Sequence, residues 1–190
     1  MCSLNMKEIR IHARAGQGAI TTAALLGEAY FKEGKYPYAF PSFGAARMGA
    51  PMNAFVRVDT RPVRVRSQIY EPDYVIVVDA TLMRGYNCFS GLSEDGIAII
   101  SGKESSELPK LNAKQKAYLI PANEIALRTI GRPFGNTALI GAYAAATAEL
   151  RLETILEVAK NRFSGKGLEG NLRAINEGYE YIKNNYPPSR

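Results

Sequence analysis

The sequence predicts an α/β fold: a mostly parallel, Rossmann-like sheet flanked by helices, with an antiparallel hairpin added to it. Three observations predict this. Residues 8–34, EIRIHARAGQGAITTAALLGEAYFKEG, read as a short buried strand, a glycine-bearing turn and a long amphipathic helix. Residues 73–79, DYVIVVD, are a β-branched run of the kind a central parallel strand needs when both faces are covered. Between them, Ala54, Val56 and Val58 alternate with Phe55, Arg57 and Asp59, and Val63 and Val65 with Arg64 and Arg66. That alternation predicts the hairpin, with one wet or partner-covered face. At 190 residues, 46% of them hydrophobic, the chain can bury a proper core, and residues 1–190 are expected to form a single domain.

The elements follow in order. The first strand is expected over Lys7–His12. The helix after Gly18 places Ile20, Ala24, Leu25, Ala29 and Phe31 near one face. Thr21 and Thr22 stand in its first turn, where hydroxyls can serve exposed N–H groups. Gly34 supplies the stop, because glycine takes the left-handed C′ conformation at no steric cost. Residues 36–40 suggest a short strand, and FPSFGAARMGAP (40–51), with two prolines and two glycines, reads as a loop. Its aromatics and Arg47 suggest a contact surface. Asp79 ends the buried strand, either as a functional carboxylate at the sheet edge or as the cap of the short segment Thr81–Tyr86. Gly96–Ser101 and Ala117–Ile120 supply two more strands. Helices are expected over Ala122–Ile130, Thr137–Leu150 (with Asn136 as N-cap), Leu152–Phe163 and Leu168–Asn185, and Ser-Gly-Lys-Gly between the last two reads as a turn.

Composition removes several function classes. No apolar run approaches the roughly 20 residues a membrane span needs. The first ten residues lack the apolar core of a secretory signal, so a cytoplasmic location is expected. The net charge of +6 is dispersed, with no block of basic residues and no basic repeat interleaved with aromatics, which argues against nucleic-acid binding. Two cysteines cannot supply the four thiolates an iron–sulfur cluster generally takes, and two cysteines with one histidine make no zinc site. Cys2 is expected to be a free thiol near the terminus and Cys88 to be buried or half-buried.

The turn after the first strand invites a dinucleotide reading, since N–H groups at a helix N-terminus favour negative charge. The fingerprint G-x-G-x-x-G falls on Ala13, Ala15 and Gly18, so only its last glycine is present. His12, at a strand end, reads as a packing or hydrogen-bonding residue more than as a general base. No nucleophile-elbow, phosphate-loop or metal-spaced motif occurs. The residues by themselves describe an α/β domain that acts with partners.

Three motifs in order, IRIHARAGQG with its helix, FPSFGAARMGAP and RSQIYEPDYVIVVD, strongly resemble the gamma subunit of 2-oxoacid:ferredoxin oxidoreductases, and the pyruvate branch most closely. The likeness continues through Asn136–Gly141, Asn171 and Gly178-Tyr179. It implies a complex that converts pyruvate and coenzyme A to acetyl-CoA and CO2 while reducing ferredoxin. The resemblance assigns thiamine diphosphate and Mg2+ to alpha and beta subunits, and iron–sulfur clusters to the delta subunit and the thiamine-binding subunit. For this chain it implies no cofactor of its own and an accessory role. Arg14, Gly16, Gln17, Gly18 and Arg47 become the candidates for meeting coenzyme A or the subunit interface. The family commonly has glycine where Ala13 and Ala15 stand, and Pro-Glu where Ala45-Ala46 stand, which puts direct contacts of this loop in question. A gamma subunit for 2-oxoisovalerate, indolepyruvate or 2-oxoglutarate, and a stand-alone nucleotide- or coenzyme A-binding module, are the competing readings.

Overall fold

A computed structural model describes residues 6–42, 48–103, 108 and 110–187. Cys2 and Arg47 lie outside the described residues. One six-stranded sheet runs through the structure, in the order β2-β3-β1-β4-β5-β6. Its strands are β1 (Lys7–Arg14), β2 (Tyr36–Ser42), β3 (Pro51–Asp59), β4 (Tyr74–Val77), β5 (Ile97–Ser101) and β6 (Lys116–Ile120). From β1 through β4, β5 and β6 the pairing is parallel, with Ile11 beside Ile76 and Ile76 beside Ile99. On the other side β3 pairs antiparallel with both β1 and β2. The α/β class and the mostly parallel sheet are as expected.

The antiparallel part differs in its partner. β3 forms its hairpin with β2, and residues 63–66 are in no strand. The reason is that β1 and β2 occupy both edges of β3, so no edge remains for the following segment. Phe40, Pro41 and Ser42 therefore belong to β2, and Pro51 opens β3, which shortens the expected loop.

Five helices accompany the sheet: α1 (Ala19–Lys32), α2 (Ala122–Ile130), α3 (Asn136–Thr147), α4 (Leu152–Arg162) and α5 (Gly165–Asn185). Along each strand alternate residues face opposite ways. Ile9, Ile11, Ala54, Val56, Tyr74 and Ile76 join a large core to which all five helices contribute. Val75, Val77, Ala98 and Ile100 form a smaller core on the other face with Leu82, Cys88, Leu92 and Leu119. That second face is closed by a 3-10 helix over Ala80–Arg84 and irregular segments.

Helix α1 buries Ala19, Thr22, Ala23, Leu26, Ala29 and Tyr30, a 3.6-residue stripe, together with Leu25. Ile20 and Phe31, expected on that face, are 45% and 68% exposed because they fall off this stripe. The stop at Gly34 is as expected (φ +78°): Gly34 N–H donates to Phe31 O and Lys35 N–H to Tyr30 O, each at 3.0 Å, the Schellman pattern. Helix α3 is buried throughout Asn136–Ala144 and lies against α5. There, a side chain on Gly141 would run into Ile175 O, and one on Gly178 into Ala138 O. Asn136 does not cap α3; it is the first helical residue, with Gly135 at the N-cap, and the reason lies in its packing against Gly18. Helix α5 begins at Gly165 and so absorbs the Gly165-Lys-Gly stretch expected as a turn.

Candidate functional site

Where β1 ends, the chain turns into α1 through Ala15-Gly16-Gln17-Gly18. The β1–β3 ladder continues into this turn: Ala15 N–H donates to Ala50 O at 2.8 Å, and Gly49 N–H to Ala15 O at 3.1 Å. Gly16 and Gly18 both have left-handed backbones (φ +96° and +85°), which glycine adopts without steric cost. A side chain would also displace a neighbouring one, the exposed Met48 at Gly16 and the buried Asn136 at Gly18. A Cβ on Gly16 would stand 2.7 Å from Met48 Sδ, and one on Gly18 would stand 2.9 Å from Asn136 Nδ2.

Between the two glycines, Gln17 folds back as a bracket. Its side-chain carbonyl accepts from Arg14 N–H at 2.8 Å, and its amide donates to Asp79 Oδ2 at 2.8 Å. Arg14, the last residue of β1, spreads its guanidinium over three partners. Nε donates to Asp79 Oδ2 at 3.2 Å, Nη1 to Gly49 O at 3.2 Å and Nη2 to Thr81 Oγ1 at 3.0 Å. Asp79 closes the arrangement from just beyond β4, since its Oδ1 accepts from both the N–H (2.9 Å) and the hydroxyl (2.7 Å) of Thr81. Asp79 thus caps the 3-10 helix, the second of its two readings, and it also ties that helix to the turn after β1. Burial alone would raise its pKa. The hydrogen bonds from Thr81 and Gln17 and the charge of Arg14 outweigh that and hold the carboxyl below its ordinary value.

The structure brings Arg14, Gly16, Gln17 and Gly18 together, and Met48 and Gly49 adjoin them. Arg47 cannot be placed with them, lying outside the described residues. No side chain caps α1, and Thr22, expected to serve its exposed N–H groups, instead donates its hydroxyl to Gly18 O at 3.0 Å from a buried position.

Arg10 is a residue that sequence reasoning missed. It lies on the same face of β1 as His12 and Arg14, at 7% exposure, and all five of its N–H donors are used. Nη1 donates to Ile69 O (3.4 Å) and Tyr70 O (3.3 Å), and Nη2 to Cys88 O (3.1 Å) and Ser90 O (2.5 Å). Nε donates to His12 Nε2 at 3.0 Å. These residues border a cleft of about 520 Å3 whose walls mix polar groups with Met52, Phe55 and Leu82. His12 is held neutral, its pKa pushed down to about 4 by burial and then by the Arg10 charge, so it is a hydrogen-bonding residue as expected. Cys88 is a free, buried thiol whose pKa burial raises. Among the described residues, no group of three or more His, Cys, Asp and Glu could hold a metal ion, and no helix is long and apolar enough to cross a membrane.

Fold and turn together define an α/β domain whose polar residues gather at the shared carboxyl edge of β1 and β4. Comparison with known proteins narrows this class. Residues 8–181 match the family of pyruvate ferredoxin/flavodoxin oxidoreductases. The chain is 47% identical over 178 residues to the gamma subunit common to the pyruvate and ketoisovalerate oxidoreductases of Pyrococcus furiosus, covering 92% of this chain and 96% of that one. It is 49% identical over 150 residues to pyruvate synthase subunit PorC of Methanosarcina barkeri, covering 79% and 82%. Among solved structures, pyruvate oxidoreductase subunit PORC of Thermotoga maritima superposes with a TM-score of 0.81 at 37% identity, over 93% of this chain and 96% of that one. The chain therefore belongs to the pyruvate ferredoxin/flavodoxin oxidoreductase family, and the resemblance carried by the three motifs is borne out.

Proposed function

We propose that this chain is the gamma subunit of a pyruvate:ferredoxin oxidoreductase, serving a reaction in which pyruvate, coenzyme A and oxidised ferredoxin give acetyl-CoA, CO2 and reduced ferredoxin. The observation that carries this reading is the likeness to gamma subunits along nearly their whole length. The geometry supports an accessory part for the chain. The polar groups at the sheet edge are engaged with one another, Arg14 and Gln17 with Asp79, and the single histidine is neutral and bonded to Arg10. Thiamine diphosphate, Mg2+ and the iron–sulfur clusters then belong to alpha, beta and delta partners in the cytoplasm.

The turn is the part of this chain assigned to those partners or to the coenzyme A approach, through Arg14, Gly16, Gln17, Gly18 and Arg47. Among the described residues Arg14 uses three of its five N–H donors, which leaves two for a carboxylate or phosphate from outside. A second reading, in which the same subunit also serves a 2-oxoisovalerate enzyme, is favoured by the relative named as common to the pyruvate and ketoisovalerate enzymes.

The test is to purify the tagged chain from its source and measure the mass, thiamine diphosphate and iron of what comes with it. Coenzyme A-dependent reduction of ferredoxin is then followed with pyruvate, 2-oxoisovalerate, indolepyruvate and 2-oxoglutarate. A complex with thiamine and iron that turns over pyruvate is the expected result. A chain that purifies alone, without thiamine or iron, overturns the reading.

A further inference from the structure

Residues 60–68, TRPVRVRSQ, have the alternation of a β-strand yet belong to none. The segment is fastened at both ends. At its start Asp59 Oδ1 accepts from the backbone N–H of Thr60 (2.6 Å) and Arg61 (3.3 Å). At its end the buried Arg57 donates to Ser67 O (2.5 Å) and Gln68 O (3.1 Å), and Gln68 Nε2 donates to Ser42 Oγ at 2.8 Å. Between these anchors the backbone N–H groups of Val63, Arg64, Val65 and Arg66 meet no acceptor among the described residues.

The side chains there carry one sign of charge. Arg61, Arg64 and Arg66 are exposed, Val65 is 44% exposed, and no Asp or Glu stands between Thr60 and Tyr70. Among the described residues, Arg61 and Arg64 make no ion pair. Arg66 is already positioned: its guanidinium lies 3.9 Å from the centre of the Tyr38 ring, and Nη1 donates to Val63 O at 3.1 Å.

A stretch held at both ends, with a run of unpaired N–H groups and strand-forming side chains, is a template for an added strand. We propose that residues 62–66 receive an extended segment of a partner subunit that carries Asp or Glu two residues apart, matched to Arg64 and Arg66. Main-chain bonds supply the attachment and the alternate carboxylates supply the selection. A second copy of this chain is the poorer occupant. Self-pairing would set the three arginines of each copy against one another, with no carboxylate on either segment. The inference rests on the subunit reading above.

Hydrogen–deuterium exchange of the purified native complex and of the chain expressed alone, at one pH, tests it. The amides of Val63–Arg66 should exchange as open peptide in the lone chain and at least about tenfold more slowly in the complex. The R64E/R66E variant should lower the melting temperature of the lone chain by only the few degrees that losing the exposed Arg66–Tyr38 contact costs, and leave the complex at lower salt than the parent. An assembled complex whose 63–66 amides exchange as fast as in the lone chain overturns the added strand and leaves the subunit reading standing. Retention of R64E/R66E at unchanged salt overturns the acidic partner. Protection of these amides in a self-associated lone chain makes a second copy the occupant and overturns the partner subunit. A chain that joins no complex overturns both readings.

Discussion

The side-chain amide of Gln17 donates to Asp79 Oδ2 at 2.8 Å, tying the turn after β1 to the residue just past β4, 62 positions away. That oxygen also takes Arg14 Nε, and the second carboxylate oxygen takes both donors of Thr81. Asp79→Ala therefore strips the acceptor from four donors in a half-exposed setting. The expected loss is about 1–3 kcal/mol of stability, read from urea unfolding at pH 7. The acid limb should change with it. A folded pKa below the unfolded value of about 4 gives stability that is present above that value and lost as pH falls through the folded pKa. Asp79→Ala should flatten that limb, and an unchanged acid limb would show that the clasp contributes nothing.

Arg14→Ala separates the two assignments of the turn. Its guanidinium holds Gly49 O, Asp79 and Thr81 in place, so its loss should loosen the loop that follows residue 47. In the assembled enzyme the expected result is release of this subunit at lower salt, with the KM for coenzyme A within about twofold of the parent. A rise in that KM of about tenfold or more, with assembly intact, would place Arg14 on a coenzyme A phosphate instead.

Local signals made most of the elements legible, and long-range ones account for the rest. The run DYVIVVD could only be a covered strand, and Gly131 stops α2 at Ile130 as its left-handed conformation allows. The partner of β3 was not legible, because the alternation in residues 63–66 suits a strand whichever edge receives it. β2 takes that edge. Asp79 signalled itself by standing at a strand end, but its bonds to Arg14 and Gln17 require β1 beside β4, which no local pattern encodes. Arg10 looked like one of many dispersed basic residues. What buries it is a set of carbonyls 59 to 80 residues away. An arginine between two isoleucines, Ile9 and Ile11, was the one available sign.

The α3–α5 contact depends on two glycines facing backbone rather than flexible side chains. An added methyl at Gly141 meets Ile175 O, and one at Gly178 meets Ala138 O, so neither neighbour can swing away. Alanine gains up to about 1 kcal/mol of helix propensity over glycine, while overpacking costs roughly 1–3 kcal/mol and more where backbone must shift. Gly141→Ala and Gly178→Ala should each lower the melting temperature. Gly167→Ala, in the first turn of the same α5 with open space around it, serves as the control and should not. A stabilised Gly141→Ala would mean that the two helices lie farther apart.

His12 is the chain's one histidine, so its protonation can be followed without assignment. Its Nε2 accepts from Arg10 Nε at 3.0 Å. Burial first, and the Arg10 charge second, push its pKa down to about 4, against the hydrogen bonds with Cys88 backbone and Asn53. In the unfolded chain the imidazole titrates near 6.5. Below that pH the unfolded state binds a proton that the folded state refuses until about 4, so stability falls as pH drops through this window. The full loss is on the order of 3 kcal/mol, reached only near the bottom of the window, and its upper part lies above the range where Asp79 acts. His12→Gln keeps an acceptor for Arg10 without a titrating group. It should retain most of the stability at pH 7 and remove the slope between about 6.5 and 4. The imidazole proton resonances of the folded parent should titrate near pH 4. A midpoint between 6 and 7 would mean that Arg10 and the surrounding burial do not govern this residue.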